Sequence, residues 1–588
     1  VVSIENKTQA AIESGVVTAG GDVTVAATSN QRIEALAFGV GVNVAVAGGG
    51  GGVSAAGSGA ASTVELKTTT TAEIVSATVT AGSGDGGSGS VTVRATDTPT
   101  LTTRAGAGSL SVAFGSAAGV GLAAGVVLAT NTLENAVTAR IGTSGQPAPT
   151  VTAQGSGTIT ISAESAATVE TLSVAVAASV AFSGTPFAAA AIAVAYARAV
   201  TTVTNAVTAE VVAGTISGSA VSLRASDAHA ITTTVGVGAG AFSYFGASVG
   251  WSSAEATVNG TVAAQMSGGS VTARTGDVTV AAGSGNTLST RSIATSVAIA
   301  IGGGGTAGSA TSKDTSSVTA DVGSGGQISA QAGTLHVRVG GVPDNGGQEG
   351  YGQVAAKSDG GSGGLITVGR VLATAEHAQT RLAVVRDGVS LASVADLCVN
   401  ARSRPDVKAE SFAVDVAGVA VQVNESIATV RGSTKAETGA GVTLPAAVRI
   451  TADAVTALAA DQRGGTGGLV GRGDNSAEVT SAMVVEAGLG AGNAAAVGKR
   501  VSLLRVTASH RDTSSVYALA GAGGVIGGAL TSATLTDSTT TLATIGAATP
   551  GKPLAVGTLM VSAEREQAFA TQADSYYGGL VAGIGLPS

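Results

Sequence analysis

The chain has 588 residues, of which 88 are glycine, 12% are charged and only 3% are aromatic, and its net charge is −8. Charged residues are about half as frequent as in an average globular protein. With so few large side chains, we expect a thin interior of Ala, Val, Ser, Thr and Gly. The sequence has no basic stripe interleaved with aromatic residues, which argues against a nucleic-acid partner.

A five-residue cassette returns along the whole chain, with a β-branched residue or leucine at its first and third positions and Ala or Val at its fifth. The copies begin at Val23, Val91, Ile159, Val221, Val278, Leu335, Leu397, Val448, Leu504 and Leu559. Successive copies start 51 to 68 residues apart. This spacing predicts a tandem array of about ten units of roughly 60 residues. Within each cassette we expect the flanking positions in the core and the variable middle position at the surface.

The fourth unit shows the order of elements within a repeat. A strand at Ala206–Val212 leads into the cassette Val221–Ala225, and polar residues Ser226–His229 then predict an exposed turn. Two stretches of small residues follow, Ile231–Phe242 and Phe245–Val258, and we expect them to form a flattened arm. Strand-like alternation without helix signals predicts an all-β, parallel β-solenoid (β-helix). One wide coil per unit is favoured, while two or three narrow coils per unit stay open.

The array predicts a single continuous domain over residues 1–588. Both ends resemble cuts through a unit, so we expect a segment of a longer chain. In the sixth unit a polar, Gly-rich loop over residues 340–364 replaces an arm; it is either a binding loop or only an extruded one. Ala105–Leu133 and Thr171–Ala197 carry no charge and are long enough for a membrane helix. Their Gly, Ser and Thr content and alternation favour strands, so the segment is not expected to span a membrane.

Residues for chemistry are sparse and scattered. The four histidines have no partners at metal-ligand spacing, and no paired carboxylates recur on neighbouring cassettes, so we expect neither a catalytic site nor a cofactor. Cys398, the single cysteine, is expected to be a surface thiol, with an intermolecular link as the alternative. A weak calcium site is possible at Asp344, Asn345 and Glu349. The integrin-type tripeptide Arg472, Gly473 and Asp474 is a weak adhesion motif that would have to lie on an exposed turn.

Two phrases, Gly20–Ala27 and Thr275–Ala282, place a Gly-Asp turn before a strand of the cassette type. Together with the overall composition they resemble the very large repeat exoproteins of bacteria, including filamentous-haemagglutinin-like adhesins and autotransporter passengers. The resemblance implies a right-handed parallel β-solenoid at the bacterial cell surface that serves in adhesion or as a stalk. It implies contacts with further copies, by stacking or end to end, and with glycans or receptors of host or neighbouring cells.

The sequence therefore predicts a non-enzymatic, secreted extracellular structural protein, a segment of a giant surface adhesin or fibre. One alternative is a filament of separate chains that assemble end to end. The other is a carbohydrate-active β-helix enzyme. Electron microscopy of native material separates the first two, and a glycan screen with product detection tests the third.

Overall fold

The computed structural model describes residues 1–84, 87–185, 187–299, 301–343, 349–391, 393–495, 500–548, 553–579 and 581–584. These residues contain strands and connecting turns but no helix. In the N-terminal half the strands are β1 (Val2–Ala19), β2 (Val23–Ser29), β3 (Arg32–Ala47), β4 (Gly51–Ala81), β5 (Val91–Asp97), β6 (Thr100–Gly115), β7 (Ala118–Ile141), β8 (Thr150–Ala153), β9 (Ile159–Ser165), β10 (Thr168–Ser183), β11 (Ala189–Val211), β12 (Thr215–Gly218), β13 (Val221–Asp227), β14 (Ala230–Phe242), β15 (Phe245–Met266), β16 (Ser270–Ala273), β17 (Val278–Ser284), β18 (Thr287–Ile299) and β19 (Gly303–Asp314).

The strands of the C-terminal half are β20 (Ser317–Val322), β21 (Gln327–Gly340), β22 (Val342–Pro343), β23 (Glu349–Gly350), β24 (Val354–His377), β25 (Thr380–Val385), β26 (Val394–Ser403), β27 (Asp406–Thr438), β28 (Thr443–Leu444), β29 (Ala447–Gly467), β30 (Val470–Leu489), β31 (Ala494–Ala495), β32 (Val501–Gly523), β33 (Ile526–Asp537), β34 (Thr540–Ile545), β35 (Val556–Gly578) and β36 (Val581–Ile584). One parallel sheet of 32 strands contains all of them except the small pairs β22–β23 and β28–β31. The prediction of an all-β, parallel structure of the β-solenoid type is thus confirmed.

The hydrogen-bonded neighbour of each cassette is the cassette one repeat away. Val23 pairs with Val91, Val91 pairs with Ile159, and the series continues in the same register through the remaining cassettes to Leu559. A parallel neighbour one repeat away is the register that one wide coil per repeat requires. Narrow coils would instead pair strands about 20 residues apart.

Within the cassettes the strand pleat sends alternate side chains to opposite sides. Val221, Leu223 and Ala225 are buried, whereas Ser222 and Arg224 between them reach the surface. The same alternation runs through the other cassettes except the last, where Leu559 and Val561 are exposed, and the flanking residues of the first nine cassettes form one continuous core. Burial of each such Val, Leu or Ile side chain contributes about 1.5–3 kcal/mol. The expected division into core and surface positions is therefore observed.

The two long strands that follow each cassette fold back on one another to form an arm. In β6 and β7, Ala105, Ala107 and Ala123 lie between the two layers, and Leu110 and Leu122 point outward. In the first repeat the layers come closer still. A Cβ atom added to Gly39 would lie 2.2 Å from the carbonyl oxygen of Gly59, so only glycine fits there. The arms therefore have a thin core of small residues, while their larger apolar side chains face outward.

The loop predicted over residues 340–364 is shorter than expected. Val342–Pro343 and Glu349–Gly350 form a small antiparallel ladder, but the chain from Val354 onward is strand β24. Lys357–Gly364, expected in the loop, pairs with β18 on one side and β27 on the other. The prediction was wrong for this half because a Gly-rich, polar sequence can still extend when parallel neighbours supply all its backbone hydrogen bonds. The sixth repeat thus keeps its arm.

Candidate functional site

After the fourth cassette the polar residues Ser226, Asp227 and His229 are buried, which corrects the predicted exposure of the turn at Ser226–His229. Asp97 and Asp227 are 0% exposed and His229 is 1% exposed. They lie at the junction between the cassettes and the arms, which we call the neck. The neck side chains form a polar column that runs along the stacking direction through several repeats: Asp97, Asp227, His229, Asn286, Asp314, Gln379 and Arg381.

Asn286 connects two buried carboxylates in this column. Its amide nitrogen lies 3.4 Å from Oδ2 of Asp227 and 3.4 Å from Oδ2 of Asp314. Its amide oxygen accepts a hydrogen bond of 3.0 Å from the backbone N–H of His229. Asn205, from the opposite side of the neck, donates to Asp227 at 3.0 Å. The network joins strands of successive repeats, so it ties the cassette side of the neck to the arm side.

Arg381 supplies the positive charge of the column. Its Nη2 donates to Oε1 of Gln379 at 2.7 Å, and Nε2 of Gln379 donates to Asp314 at 2.7 Å. The guanidinium also donates to the backbone carbonyls of Gly340, Arg402 and Ser284. The side-chain amide of Gln379 thus bridges the guanidinium of Arg381 and the carboxylate of Asp314 by hydrogen bonds. Buried charged groups need such hydrogen-bonding partners.

Burial sets the protonation states in the neck. It raises the pKa of Asp227, although the neighbouring His229 opposes the shift. It lowers the pKa of His229, and it lowers the pKa of His377 to about 4 against the attraction of Asp314. Both imidazoles are therefore neutral near pH 7. Asp227 and His229 are buried from solvent, and their hydrogen bonds join strands across the neck.

A surface concavity of about 270 Å³ lies on the outer face of the cassettes, beside the loop of the sixth repeat. Arg224 and Arg338 line it from two cassette strands. Ala281, on the strand between them, has a short side chain, and the concavity lies over it. Gly340 and Glu349 close one side. Burial lowers the pKa of Arg224, and the positive charge of Arg338 adds to this effect. Guanidinium groups that line one concavity can bind a carboxylate, sulfate or phosphate group.

The predicted calcium residues divide between described and undescribed parts of the chain. Asp344 and Asn345 lie outside the described residues, so the prediction for them stays a prediction. Glu349 accepts a hydrogen bond from the Tyr351 hydroxyl, and burial together with Glu349 raises the pKa of Tyr351. Among the residues that the structure describes, no three His, Cys, Asp or Glu side chains converge at metal-binding distance.

The adhesion tripeptide lies inside strand β30 and not at a turn. Arg472 and Asp474 point to the same face, with 2.8 Å between the guanidinium nitrogen and the carboxylate oxygen. Gly473 lies between them on the opposite, buried face. The strand is paired on both sides, with β27 and β33. The exposed turn that this motif needs is therefore not present, and its role in adhesion stays a prediction.

Comparison with known proteins gives no match. Neither a protein-family model, nor a curated protein, nor a solved structure matches this chain. The described part of the chain also contains no helix of the length and apolarity needed to cross a bilayer.

Cys398 lies in the middle position of its cassette, as predicted, but it is only partly exposed. Burial raises the pKa of its thiol, while Arg338, Arg449 and Arg402 oppose the shift. The raised pKa keeps the thiol protonated near pH 7 and lowers its reactivity.

The neck is the feature that sequence reasoning missed, although a signal for it was present. Asp227 and His229 continue the two-residue period of Val221, Leu223 and Ala225, so the pleat places them on the buried side. Their polarity alone suggested a turn. If the alternation of buried and exposed positions is continued past the cassette, it predicts that Asp227 and His229 are buried.

Proposed function

We propose that this protein is a non-enzymatic structural segment of an extracellular fibre or giant surface adhesin, built from about ten wide coils of roughly 60 residues with flattened arms. The observation that carries the proposal is the unbroken pairing of each cassette with the next in one register. Stacking of similar repeats makes a body that is stiff along one axis and can be lengthened by adding repeats, as a stalk requires. The composition and the resemblance to bacterial repeat exoproteins support an extracellular, bacterial setting.

The neck and the cassette surface support a structural role over an enzymatic one. Burial lowers the pKa values of His229 and Arg381, and both residues belong to a hydrogen-bonded network that joins repeats. Several exposed charges pair across neighbouring repeats, as in Arg94–Glu164 at 3.0 Å and Lys435–Glu486 at 2.9 Å. Such pairs help to hold neighbouring repeats in register.

Negative-stain electron microscopy of the purified chain tests this proposal. With about 4.8 Å per stacked strand, ten wide coils give a body of roughly 50 Å along the stacking axis. A particle two to three times longer would contradict the wide coil. Growth along this axis with concentration would favour separate chains that assemble end to end. Release of products from a panel of acidic and neutral glycans would overturn the non-enzymatic assignment.

A further inference from the structure

The outward face of the returning arm strands carries a large apolar surface. We call it the arm ridge, and its side chains, each 39–53% exposed, are Leu122, Val126, Leu128, Ile192, Val194, Phe245, Val249 and Trp251. They come from β7, β11 and β15, which lie side by side in the sheet. Isolated exposed apolar side chains are ordinary, but a contiguous set on a flat sheet marks a contact surface.

The ridge is ordered at its centre by an aromatic pair. Tyr196 and Trp251 are register partners on adjacent strands, and their rings meet edge to face with centroids 5.7 Å apart. Trp251 is 53% exposed and is the only tryptophan of the chain. Rigid, half-exposed Trp and Tyr side chains on a preformed surface are typical of residues that dominate binding energy.

A flat strip of small residues lies directly beside the ridge. The register partner of Trp251 on β19 is Ala307, and the partner of Val249 is Gly305. These positions point to the same face as the ridge but carry almost no side chain. A ridge about three strands wide therefore borders a shallow groove on one continuous face.

The ridge and the strip carry no charge of their own toward the tip of the arm, and Arg370 of β24, the register partner of Ala307, borders the far side of the strip. The ion pair between Arg198 and Glu255, with 3.6 Å between the charged atoms, lies at the base of the arm. From there to the tip, residues 189–197, 245–254 and 303–312 contain no charged residue. Burial of the ridge and the strip would therefore enclose no charged residue of these three segments.

The exposed area approaches that of a stable dimer. Fully exposed aromatic side chains offer about 150–250 Å² each and the six aliphatic ones less, so eight side chains that are about half exposed present on the order of 500 Å². Stable interfaces bury about 800 Å² per partner. The small residues between the ridge side chains and along the strip supply a further contribution.

We propose that this arm face binds the same face of a second copy of the chain, with a two-fold axis relating them. In such an isologous contact Trp251 of each copy packs onto the Gly305–Ala307 strip of the other. The combination of ridge and groove on one face favours a second copy of the chain over a lipid surface as the partner, since a fluid bilayer has no fixed ridge that would fill the groove. The net charge of −8 also disfavours anionic membranes. This lateral pairing goes beyond the proposed stalk and does not depend on where the protein acts.

The test combines sedimentation with the fluorescence of Trp251. Across the micromolar range we expect a discrete monomer–dimer equilibrium, and the tryptophan emission should move to shorter wavelength as the dimer forms. Trp251→Ser and Ala307→Arg should each weaken the dimer at least roughly 30-fold. Phe412→Ser removes a 48% exposed side chain on the opposite arm face and should leave the dimer unchanged. Circular dichroism checks that all three variants fold.

Three outcomes would overturn the proposal. The first is a monomer at every concentration. The second is a dimer that tolerates both Trp251→Ser and Ala307→Arg. The third is a tryptophan shift that appears only with phosphatidylcholine vesicles, which would identify a lipid surface as the partner. None of these results bears on whether the chain forms stacked coils, because the electron-microscopy dimensions test that separately.

Discussion

Deletion of one complete repeat, residues 221–277, is expected to give a folded protein whose thermal midpoint stays within about 5 °C of the parent. The cut joins Ala220 to Val278, and the cassette at Val278 then pairs with Ile159 in place of Val221. Each strand after the cut then pairs with the corresponding strand of the repeat before it. Both the buried core and the parallel hydrogen bonds between repeats are therefore restored. Circular dichroism during heating measures the result.

The matched control deletes only residues 221–240, about one third of a repeat. If each repeat is one wide coil, this deletion moves the strands of one coil out of register with those of the next coil. Cassette strands would then lie beside arm strands, and the buried positions of neighbouring coils would no longer align. We expect no cooperative transition. If both deletions were tolerated equally, the repeat would contain several narrow coils and the register described above would be wrong.

Arg381→Met is expected to cost about 3–5 kcal/mol of the free energy of unfolding. Methionine has a side chain of similar length but no positive charge. The substitution therefore removes the guanidinium that is linked to Asp314 through the amide of Gln379. It also leaves the buried carbonyls of Ser284 and Gly340 without this donor. Urea denaturation followed by circular dichroism gives the difference.

Two further variants separate the network from a simple loss of charge. Arg386→Met removes a half-exposed arginine that pairs with Asp321 at 2.8 Å, and it should cost less than about 1 kcal/mol. Arg381→Lys keeps the charge but cannot reproduce the forked donation, so it should lie between the other two. If Arg381→Met were as mild as Arg386→Met, the neck network would not stabilise the fold.

The sequence was informative where a pattern repeats and each copy has the same environment. Cassettes such as Val221–Ala225 were correctly assigned to strands with buried flanks because β-branching and alternation both depend on local physics. The arms were harder to predict. Ala and Gly stretches revealed small residues but not the direction in which Leu122 or Trp251 points, because that depends on which face the second arm layer covers.

The neck and the tripeptide show how tertiary context overrides composition. Polar Asp227 suggested an exposed turn, but Asn205 of the same repeat and Asn286 of the next donate to its carboxylate in the interior. Likewise Arg472 and Asp474 suggested a display loop, yet both neighbours of β30 continue through that point. Partners 22 and 59 residues away, as for Asp227, cannot be inferred from a local motif, although the repeat spacing indicates where the more distant one lies.

The most direct measurement of the wide coil uses the single native thiol. His336 and Cys398 are register partners on adjacent cassettes, with both side chains on the outer face. In His336→Cys we expect dibromobimane, which fluoresces after bridging two nearby thiols, to link the two positions at mildly alkaline pH. Ala378→Cys, about a third of a repeat before Cys398, should give no bridged product. Bridging at position 378 without bridging at position 336 would contradict one coil per repeat.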